Sequence, residues 1–139
     1  MRILALDVGT KTIGVAVSDE LEITANGVTT INRKDTEFDV TELGRIIERY
    51  KPSELVVGIP YRSDGSVGKR GKEIMRFADV LRKKFGIPVK YWDESYSTAD
   101  AESFLISADV GRKKRKRVID KMAAVYILAE YLESKRPSK

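Results

Sequence analysis

The sequence predicts an α/β domain in which a mixed five-stranded sheet packs against helices. The first third of the chain holds three runs rich in β-branched residues with short segments between them, a pattern typical of antiparallel strands. Farther along, apolar strand-like runs alternate with segments of helical periodicity, which is typical of parallel strands joined by right-handed crossovers. Of the 139 residues, 42% are hydrophobic, which suffices for one core. We therefore expect a single domain over residues 1–139.

The first three strands are expected at residues 2–7, 12–19 and 25–32. The first two, RILALD and TIGVAVSD, flank the short segment VGTK. This spacing predicts a hairpin with Gly9 in its turn, because glycine tolerates the backbone conformations that tight turns require. Together the three strands would form the antiparallel part of the sheet.

The period of the apolar residues then changes from strand-like to helical. Residues 36–51 show helical spacing, and Pro52 would end this helix. The continuous apolar run ELVVGIP at 54–60 is typical of a central parallel strand, and a glycine-rich loop is expected at 61–71. The remaining predicted elements are a helix at 72–85, a strand at 88–94, and helices at 97–108 and 118–133. The predicted order is βββαβαβαα.

The composition excludes several kinds of site. The chain has no cysteine and no histidine, which excludes disulfides, thiolate metal sites and nucleophile–histidine pairs. Any catalysis would depend on carboxylates, lysines and hydroxyls. No stretch is long and apolar enough to cross a bilayer, and the N-terminus shows no secretory signal. We expect a soluble cytoplasmic protein.

Positive charge is concentrated in one part of the chain. The net charge is +5, and residues 112–117 read RKKRKR. Of the 26 Lys and Arg residues, six lie in this basic run, which leaves 20 against 21 Asp and Glu elsewhere. Such a run favours contact with nucleic-acid phosphates, although a solvated loop is the alternative. Lys69 and Arg70 lie in the glycine-rich loop near a helix start, where positive charges could also hold phosphate.

Three acidic side chains could meet at one edge of the sheet. Asp7 ends the first strand, Glu94 ends the last, and Asp120 lies in the first turn of the final predicted helix, on its apolar stripe. The carboxyl ends of neighbouring parallel strands share one edge, where the sites of α/β proteins gather. Three carboxylates there would repel one another unless cations lay among them. Oxygen ligands without histidine suit Mg²⁺ or Mn²⁺, and a pair of such ions is a common device for attack on a phosphodiester.

Each of these acidic residues also has a purely structural interpretation. Asp7 could be a turn residue, and Asp120 could interact with the dipole of its helix. Asp93 or Glu94 could cap the helix that follows or pair with a surface lysine. Considered one at a time, the residues leave both interpretations open.

Four sequence blocks together carry a family resemblance. LALDVGTKTIGVAVSD opens the chain, VVGIPYRSDGSVG contains a G-x-P-x-x-x-D-G loop, DESYST closes the last strand, and VIDKMAAVYIL begins the final predicted helix. In this order the blocks resemble the YqgF (RuvX-like) family, whose members are described as Holliday-junction resolvases and as pre-16S rRNA nucleases. The resemblance covers nearly the whole chain and implies a ribonuclease-H-like fold. One position departs from the family pattern, because the arginine that usually follows the D-E pair is Ser95 here.

The resemblance also implies roles for individual residues. Asp7, Glu94 and Asp120 would be the catalytic residues that bind Mg²⁺ or Mn²⁺, and Asp93 would be a less central helper. The expected nucleic-acid contacts are basic residues of the first turn, the glycine-rich loop and the basic run: Lys11, Lys69, Arg70, Arg112, Lys113, Lys114, Arg115, Lys116 and Arg117.

The function that these features predict is a metal-dependent endonuclease that hydrolyses phosphodiester bonds, with processing of the 5′ end of pre-16S rRNA favoured by the resemblance. The alternatives are a Holliday-junction resolvase acting on branched DNA and a nucleic-acid-binding module without catalysis. The DVGT start also resembles the phosphate-binding hairpin of the sugar-kinase, actin and heat-shock-chaperone superfamily, but that group clasps ATP between two such domains. The expected partner is structured RNA or branched DNA, and monomer and homodimer both stay open.

Overall fold

A mixed five-stranded sheet lies at the centre of the fold. The computed structural model describes residues 1–94 and 112–135, and of residues 112–121 only the backbone. The strands are β1 (Ile3–Val8), β2 (Thr12–Ser18), β3 (Ala25–Asn32), β4 (Glu54–Ile59) and β5 (Val89–Asp93). Their order across the sheet is β3-β2-β1-β4-β5. β1 pairs antiparallel with β2 and parallel with β4, so the predicted mixed sheet, with the first strand at its centre, is confirmed.

In the described residues, three helices cover the sheet: α1 (Thr36–Tyr50), α2 (Lys69–Phe85) and α3 (Arg112–Lys135). The carboxylate of Asp35 caps α1 by accepting a hydrogen bond of 2.8 Å from the backbone N–H of Phe38. The residue that caps the C-terminus of α1 is Lys51, which has a left-handed backbone with φ of 48° and lies one residue before the proline expected to end the helix. α2 ends in the same manner at Gly86, with φ of 65°, a conformation that glycine adopts without strain.

The two faces of the sheet pack against different helices. Leu4, Leu6 and Val8 of β1 share a core with α1 and α2, whereas Ile3 and Ala5 of the same strand pack against α3. Among the described side chains of α3, the buried apolar residues are Ala123, Ala124, Ile127, Leu128 and Leu132. Because side chains alternate along a strand, the residue that follows Leu6 faces the α3 side.

Two helices begin earlier than the sequence predicts. α2 begins at Lys69 instead of residue 72, and α3 begins at Arg112 instead of residue 118. Lysine and arginine are good helix formers, so the basic run extends the helix of the apolar stripe that follows it, and the alternative of a loop there is wrong. The helix predicted at 97–108 lies outside the described residues. Within the described ranges, no helix combines the length and the apolarity that crossing a membrane requires.

Candidate active site

Asp7 lies at the carboxyl end of the central strand, on the face that α3 covers. It is the fifth residue of β1, it pairs with Gly14 of β2, and its side chain is partly buried. On its other side, the parallel register joins Leu6 to Val57, so the next residue of each strand brings Asp7 beside Gly58 of β4. The prediction that Asp7 lies at the carboxyl edge of the sheet is confirmed.

Glu94 reaches the same edge from the end of β5, on the far side of β4 from Asp7. It follows β5 directly, and its backbone N–H donates a hydrogen bond of 3.2 Å to the carbonyl of Ile59. Its side chain lies over Gly58, because a Cβ added to Gly58 would approach Oε2 of Glu94 to 2.6 Å and its Cβ to 3.2 Å. The carboxylate of Glu94 can lie this close to the β4 backbone because Gly58 has a hydrogen atom in place of a side chain. Gly58 leaves the space that Glu94 occupies between β5 and Asp7.

One oxygen of Glu94 has no hydrogen-bond partner among the described residues. Oε2 is buried and accepts no hydrogen bond from the part of the chain that the structure describes. A buried carboxylate oxygen without a partner is costly, and such groups in folded proteins call for an explanation. A divalent cation would supply the missing interaction, and carboxylate oxygen is the ligand that Mg²⁺ and Mn²⁺ prefer. The residues at this edge therefore fit the expected kind of ion.

The direction of α3 places residue 120 toward this edge. The hydroxyl of Tyr131 donates a hydrogen bond of 2.9 Å to Oε1 of Glu54, at the start of β4. Ile127 lies at the other end of that strand, since its Cδ1 would be 2.5 Å from a Cβ on Gly58. The helix thus runs antiparallel to β4, and Asp120 lies two turns before Ile127 on the same helical face, beyond the strand end.

The position of Asp120 within α3 differs from the prediction. Because α3 begins at Arg112, Asp120 is its ninth residue and does not lie in the first turn. An interaction with the helix dipole, which falls off within the first turn, no longer explains it. Its side chain lies outside what the structure describes, so its meeting with Asp7 and Glu94 stays a prediction. Among the described side chains, no three acidic groups are arranged as a metal site.

An open cleft lies beside the turn that follows Asp7. It is lined by the β1–β2 turn, the segment before α1 and the start of α2: Thr10, Lys11, Arg33, Lys34, Asp35, Thr36, Asp39 and Arg70. Four of these residues carry positive charge and two carry negative charge, so the cleft attracts anions. Two of the predicted phosphate contacts, Lys11 and Arg70, lie in it, and Lys69 is exposed at the first position of α2.

Arg33 is a cleft residue that the sequence does not reveal. It follows a strand and precedes a helix cap in the stretch INRKDT, where no spacing or repeat distinguishes it from a surface arginine. The basic run, by contrast, is recognisable from its charge alone. It forms the first turns of α3, and its side chains lie outside what the structure describes. Its role in binding therefore stays a prediction.

The glycine-rich loop has an ordered turn at its tip. The carboxylate of Asp64 accepts hydrogen bonds from the hydroxyl of Ser66 at 2.6 Å and from its backbone N–H at 2.9 Å. These two bonds hold the pKa of Asp64 below its ordinary value, with the hydroxyl as the larger cause. Gly65 has φ of 85°, which a side chain would strain. The D-G pair in this loop is thus a turn-forming element.

Comparison with known proteins agrees with this fold and with the resemblance in sequence. The profile of the family described as RuvX: Holliday junction resolvase matches residues 1–134. A relative from Geobacillus sp. strain WCH70 is 53% identical over 138 residues, which cover 98% of this chain and all of the relative. A relative from Bacillus pumilus is 51% identical over 136 residues, covering 96% and 99%. Both carry the provisional name of pre-16S rRNA nuclease.

Solved structures with low sequence identity share the fold. RuvC of Thermus thermophilus, bound to a Holliday junction substrate, aligns with 97% of this chain and 96% of its own at a TM-score of 0.64 and 14% identity. The fowlpox virus resolvase, in complex with Holliday junction DNA, aligns with 96% and 98% at a TM-score of 0.56 and 15% identity. The predicted ribonuclease-H-like fold is confirmed. With a family match over residues 1–134 and relatives above 50% identity, the chain belongs to the RuvX family.

Proposed function

We propose that this protein is a divalent-metal-dependent endonuclease that processes the 5′ end of precursor 16S rRNA in the cytoplasm. One observation carries the metal dependence: Oε2 of Glu94, which is buried and has no hydrogen-bond partner in the described part of the chain, lies at the strand edge that Asp7 also occupies. The relatives at 53% and 51% identity, with their provisional name, support nuclease activity and the RNA substrate.

Three carboxylates would hold the ion. Asp7 and Glu94 approach from β1 and from the end of β5 on either side of Gly58, and Asp120 would approach from α3. When bound, Mg²⁺ or Mn²⁺ neutralises charge on the phosphodiester and makes water a better nucleophile. The strand edge keeps Asp7 and Glu94 in fixed places, which limits the reorganisation needed for the reaction. Since the chain has no histidine, proton transfer would fall to carboxylates, lysines or hydroxyls.

Basic residues would bind the nucleic-acid backbone. Lys11 projects from the turn directly after Asp7, and Lys69 is exposed at the start of α2. The basic run spans six successive residues of a helix, and since each residue turns the helix by about 100°, its charges are distributed around the axis. Contacts of this kind position a substrate without reading its sequence. The expected partner is therefore a structured nucleic acid bound through its phosphates.

A cleavage assay tests the function. The protein is incubated with a fragment that spans the 5′ end of precursor 16S rRNA, with Mg²⁺, with Mn²⁺ and with EDTA. We expect cleavage of the RNA with either ion and none with EDTA. Binding without cleavage under all conditions would contradict the proposal and favour a nucleic-acid-binding module. The same assay with a four-way DNA junction, run in parallel, tests the alternative substrate.

The alternative function is a Holliday-junction resolvase, which the family description favours. A resolvase makes paired cuts, and a two-fold dimer is the natural arrangement for that. Cleavage of the junction but not of the RNA, together with a dimer in sedimentation experiments, would replace RNA processing by junction resolution.

Variants identify the residues that perform the reaction. Asp7→Asn, Glu94→Gln and Asp120→Asn should each lower cleavage by more than about a hundredfold, since even the loss of an outer partner of a metal ligand costs 10 to 100-fold. Glu133→Gln, on the exposed side of the same helix as Asp120, is the matched control and should cleave normally. Equal losses in the control and in Asp120→Asn would mean that general acidity, and not a site, matters.

A further inference from the structure

We infer that Arg70 and Arg33 are positioning residues, which hold the turn after Asp7 in the geometry that the proposed nuclease reaction requires. The inference rests on the proposed function and gives Arg70 a role other than the phosphate contact that the sequence predicts. Two arginines from different parts of the chain donate hydrogen bonds to two successive carbonyls, those of Val8 and Gly9, directly after Asp7.

Arg70 connects this backbone to α2. Its Nη2 donates a hydrogen bond of 2.7 Å to the carbonyl of Val8, 62 residues away in sequence. Its Nη1 lies 3.3 Å from Oε2 of Glu73, one helical turn along α2. The guanidinium therefore spans a helix and the end of the strand that carries Asp7. A phosphate would have to compete with both of these partners.

Arg33 connects the next carbonyl to the segment before α1. Its Nη1 donates a hydrogen bond of 2.8 Å to the carbonyl of Gly9, and its Nε donates one of 2.8 Å to Oδ2 of Asp39. The guanidinium also stacks over the ring of Phe77 at 5.1 Å. Asp39 is 1% exposed and Arg33 is 19% exposed, so this ion pair is withdrawn from water and fixed in place.

The backbone around the turn adds two further constraints. The N–H of Gly9 donates a hydrogen bond of 2.8 Å to the carbonyl of Thr12, and the N–H of Arg33 donates one of 2.8 Å to the carbonyl of Lys11. The turn is thus held from both sides. Since Asp7 is attached to this turn through Val8, a shift of the turn would displace the carboxylate, and an ångström of displacement can cost a large factor in rate.

Salt dependence separates positioning from phosphate contact. In Arg70→Met, we expect kcat at saturating RNA to fall by about ten- to a hundredfold, while the slope of log affinity against log salt stays at the wild-type value. In Lys11→Met, that slope should become shallower by about 0.7 to 0.9, as the removal of one phosphate-binding charge requires. Arg76→Met, an exposed arginine on the same helix, is the control and should keep wild-type kcat.

The kcat and the salt slope of Arg70→Met together decide whether Arg70 is a positioning residue or a substrate contact. A shallower salt slope in Arg70→Met, with or without a lower kcat, would make Arg70 a substrate contact and overturn the inference. Wild-type kcat and wild-type slope together would also overturn it. Arg70 is a better test than Arg33, because it is not half of a buried ion pair, and the variant should fold.

Hydrogen–deuterium exchange tests the same inference without any activity. In Arg70→Met, the amides of residues 9–12 should exchange at least about tenfold faster than in the wild type, because their opening requires fewer bonds to break. Arg33→Lys, which keeps a positive charge beside Asp39 but lacks the planar fork that reaches two acceptors, should also accelerate exchange there. Unchanged exchange in both variants would overturn the inference. If the wild type cleaves neither RNA nor junction, the proposed function fails, whereas the exchange result still decides the role of the arginines.

Discussion

Asp39 is buried, Glu94 has one buried oxygen, and the two carboxylates differ in the hydrogen bonds that they accept. Asp39, at the start of α1, accepts from Nε of Arg33 at 2.8 Å and from the backbone N–H of Lys34 at 3.2 Å. Glu94, at the end of β5, has a buried oxygen that accepts no hydrogen bond within the described chain. The hydrogen bonds of Asp39 come from the protein itself, whereas the buried oxygen of Glu94 is where the proposed cation would bind. The contrast is the one expected between a carboxylate that stabilises the fold and one that takes part in the proposed reaction.

The largest expected effect is a difference in protein stability between variants of the two carboxylates, Asp39 and Glu94. Asp39→Asn leaves the charge of Arg33 without its partner and should lower the free energy of unfolding by about 3 kcal/mol. Glu94→Gln removes the charge of a carboxylate whose Oε2 is buried, and it should keep or raise the melting temperature when no metal is present. Thermal unfolding in EDTA measures both variants. A stability loss in Glu94→Gln as large as that in Asp39→Asn would contradict the distinction.

A smaller effect is expected from crowding the second carboxylate. In Gly58→Ala, the new methyl group would lie 2.6 Å from Oε2 of Glu94 and 2.5 Å from Cδ1 of Ile127. We expect destabilisation of about 1 to 3 kcal/mol from this overpacking, together with a loss of cleavage because Glu94 is displaced. Both are measured on the same preparation, by unfolding and by the RNA assay.

Gly44→Ala is the matched control for this variant. Its added Cβ would meet the ring edge of Phe85 at 3.0 Å, on the other face of the sheet, and alanine favours the helix. Cleavage should be normal there. Normal cleavage in Gly58→Ala as well would show that the position of Glu94 is not critical.

The basic run should affect binding more than chemistry. Replacing Lys113, Lys114, Arg115 and Lys116 by glutamine keeps helix propensity, which serine would lower, and removes four charges. The slope of log affinity against log salt should become shallower by about 0.7 to 0.9 for each phosphate that the variant no longer binds, depending on strandedness. Cleavage should fall more at low substrate than at saturation. The control variant carries glutamine at Lys83 and Lys84, at the C-terminal end of α2, and its slope should equal that of the wild type. Equal slopes in the two variants would contradict a role for the basic run in binding.

The smallest expected effect concerns pH and Asp64, an exposed carboxylate whose Oδ1 accepts two hydrogen bonds from Ser66. The bonds from Ser66 depress the pKa of Asp64 in the folded protein. A depressed folded pKa means that this contribution to stability is present above the unfolded value, 3.8, and is lost as the pH falls through the folded value. Asp64→Asn should therefore flatten the fall in melting temperature below about pH 4. An identical acid profile in this variant would contradict the role of the Ser66 bonds.

The predictable parts of the fold depend on periodicity, and the other parts depend on interactions between distant segments. The alternation in ILALDV and the continuous run ELVVGI specify strands, and the edge rule for parallel strands then places Asp7 and Glu94 together. No sequence pattern indicates that Arg33 and Arg70 would reach adjacent carbonyls, since 37 positions separate them in the chain. The start of α3 differs from the prediction because six successive charges are typical of a segment exposed to solvent, which places the run outside the helix. Lysine and arginine nevertheless have high helix propensity, and this propensity determines the backbone conformation of the run.

The continuity of α3 has a mechanical consequence. Its 24 residues form one rod of about 36 Å, which is clamped to the sheet by its apolar C-terminal part and extends past the strand ends with its basic N-terminal part. If residues 117–120 formed a flexible loop, the loop could accommodate an inserted residue without moving the segments on either side. In a rigid helix, one inserted residue rotates every basic position by about 100° about the axis and advances it by about 1.5 Å. The helix therefore fixes the angle and the distance between the basic residues and residue 120. We expect insertions and deletions in this segment to be tolerated far less than substitutions.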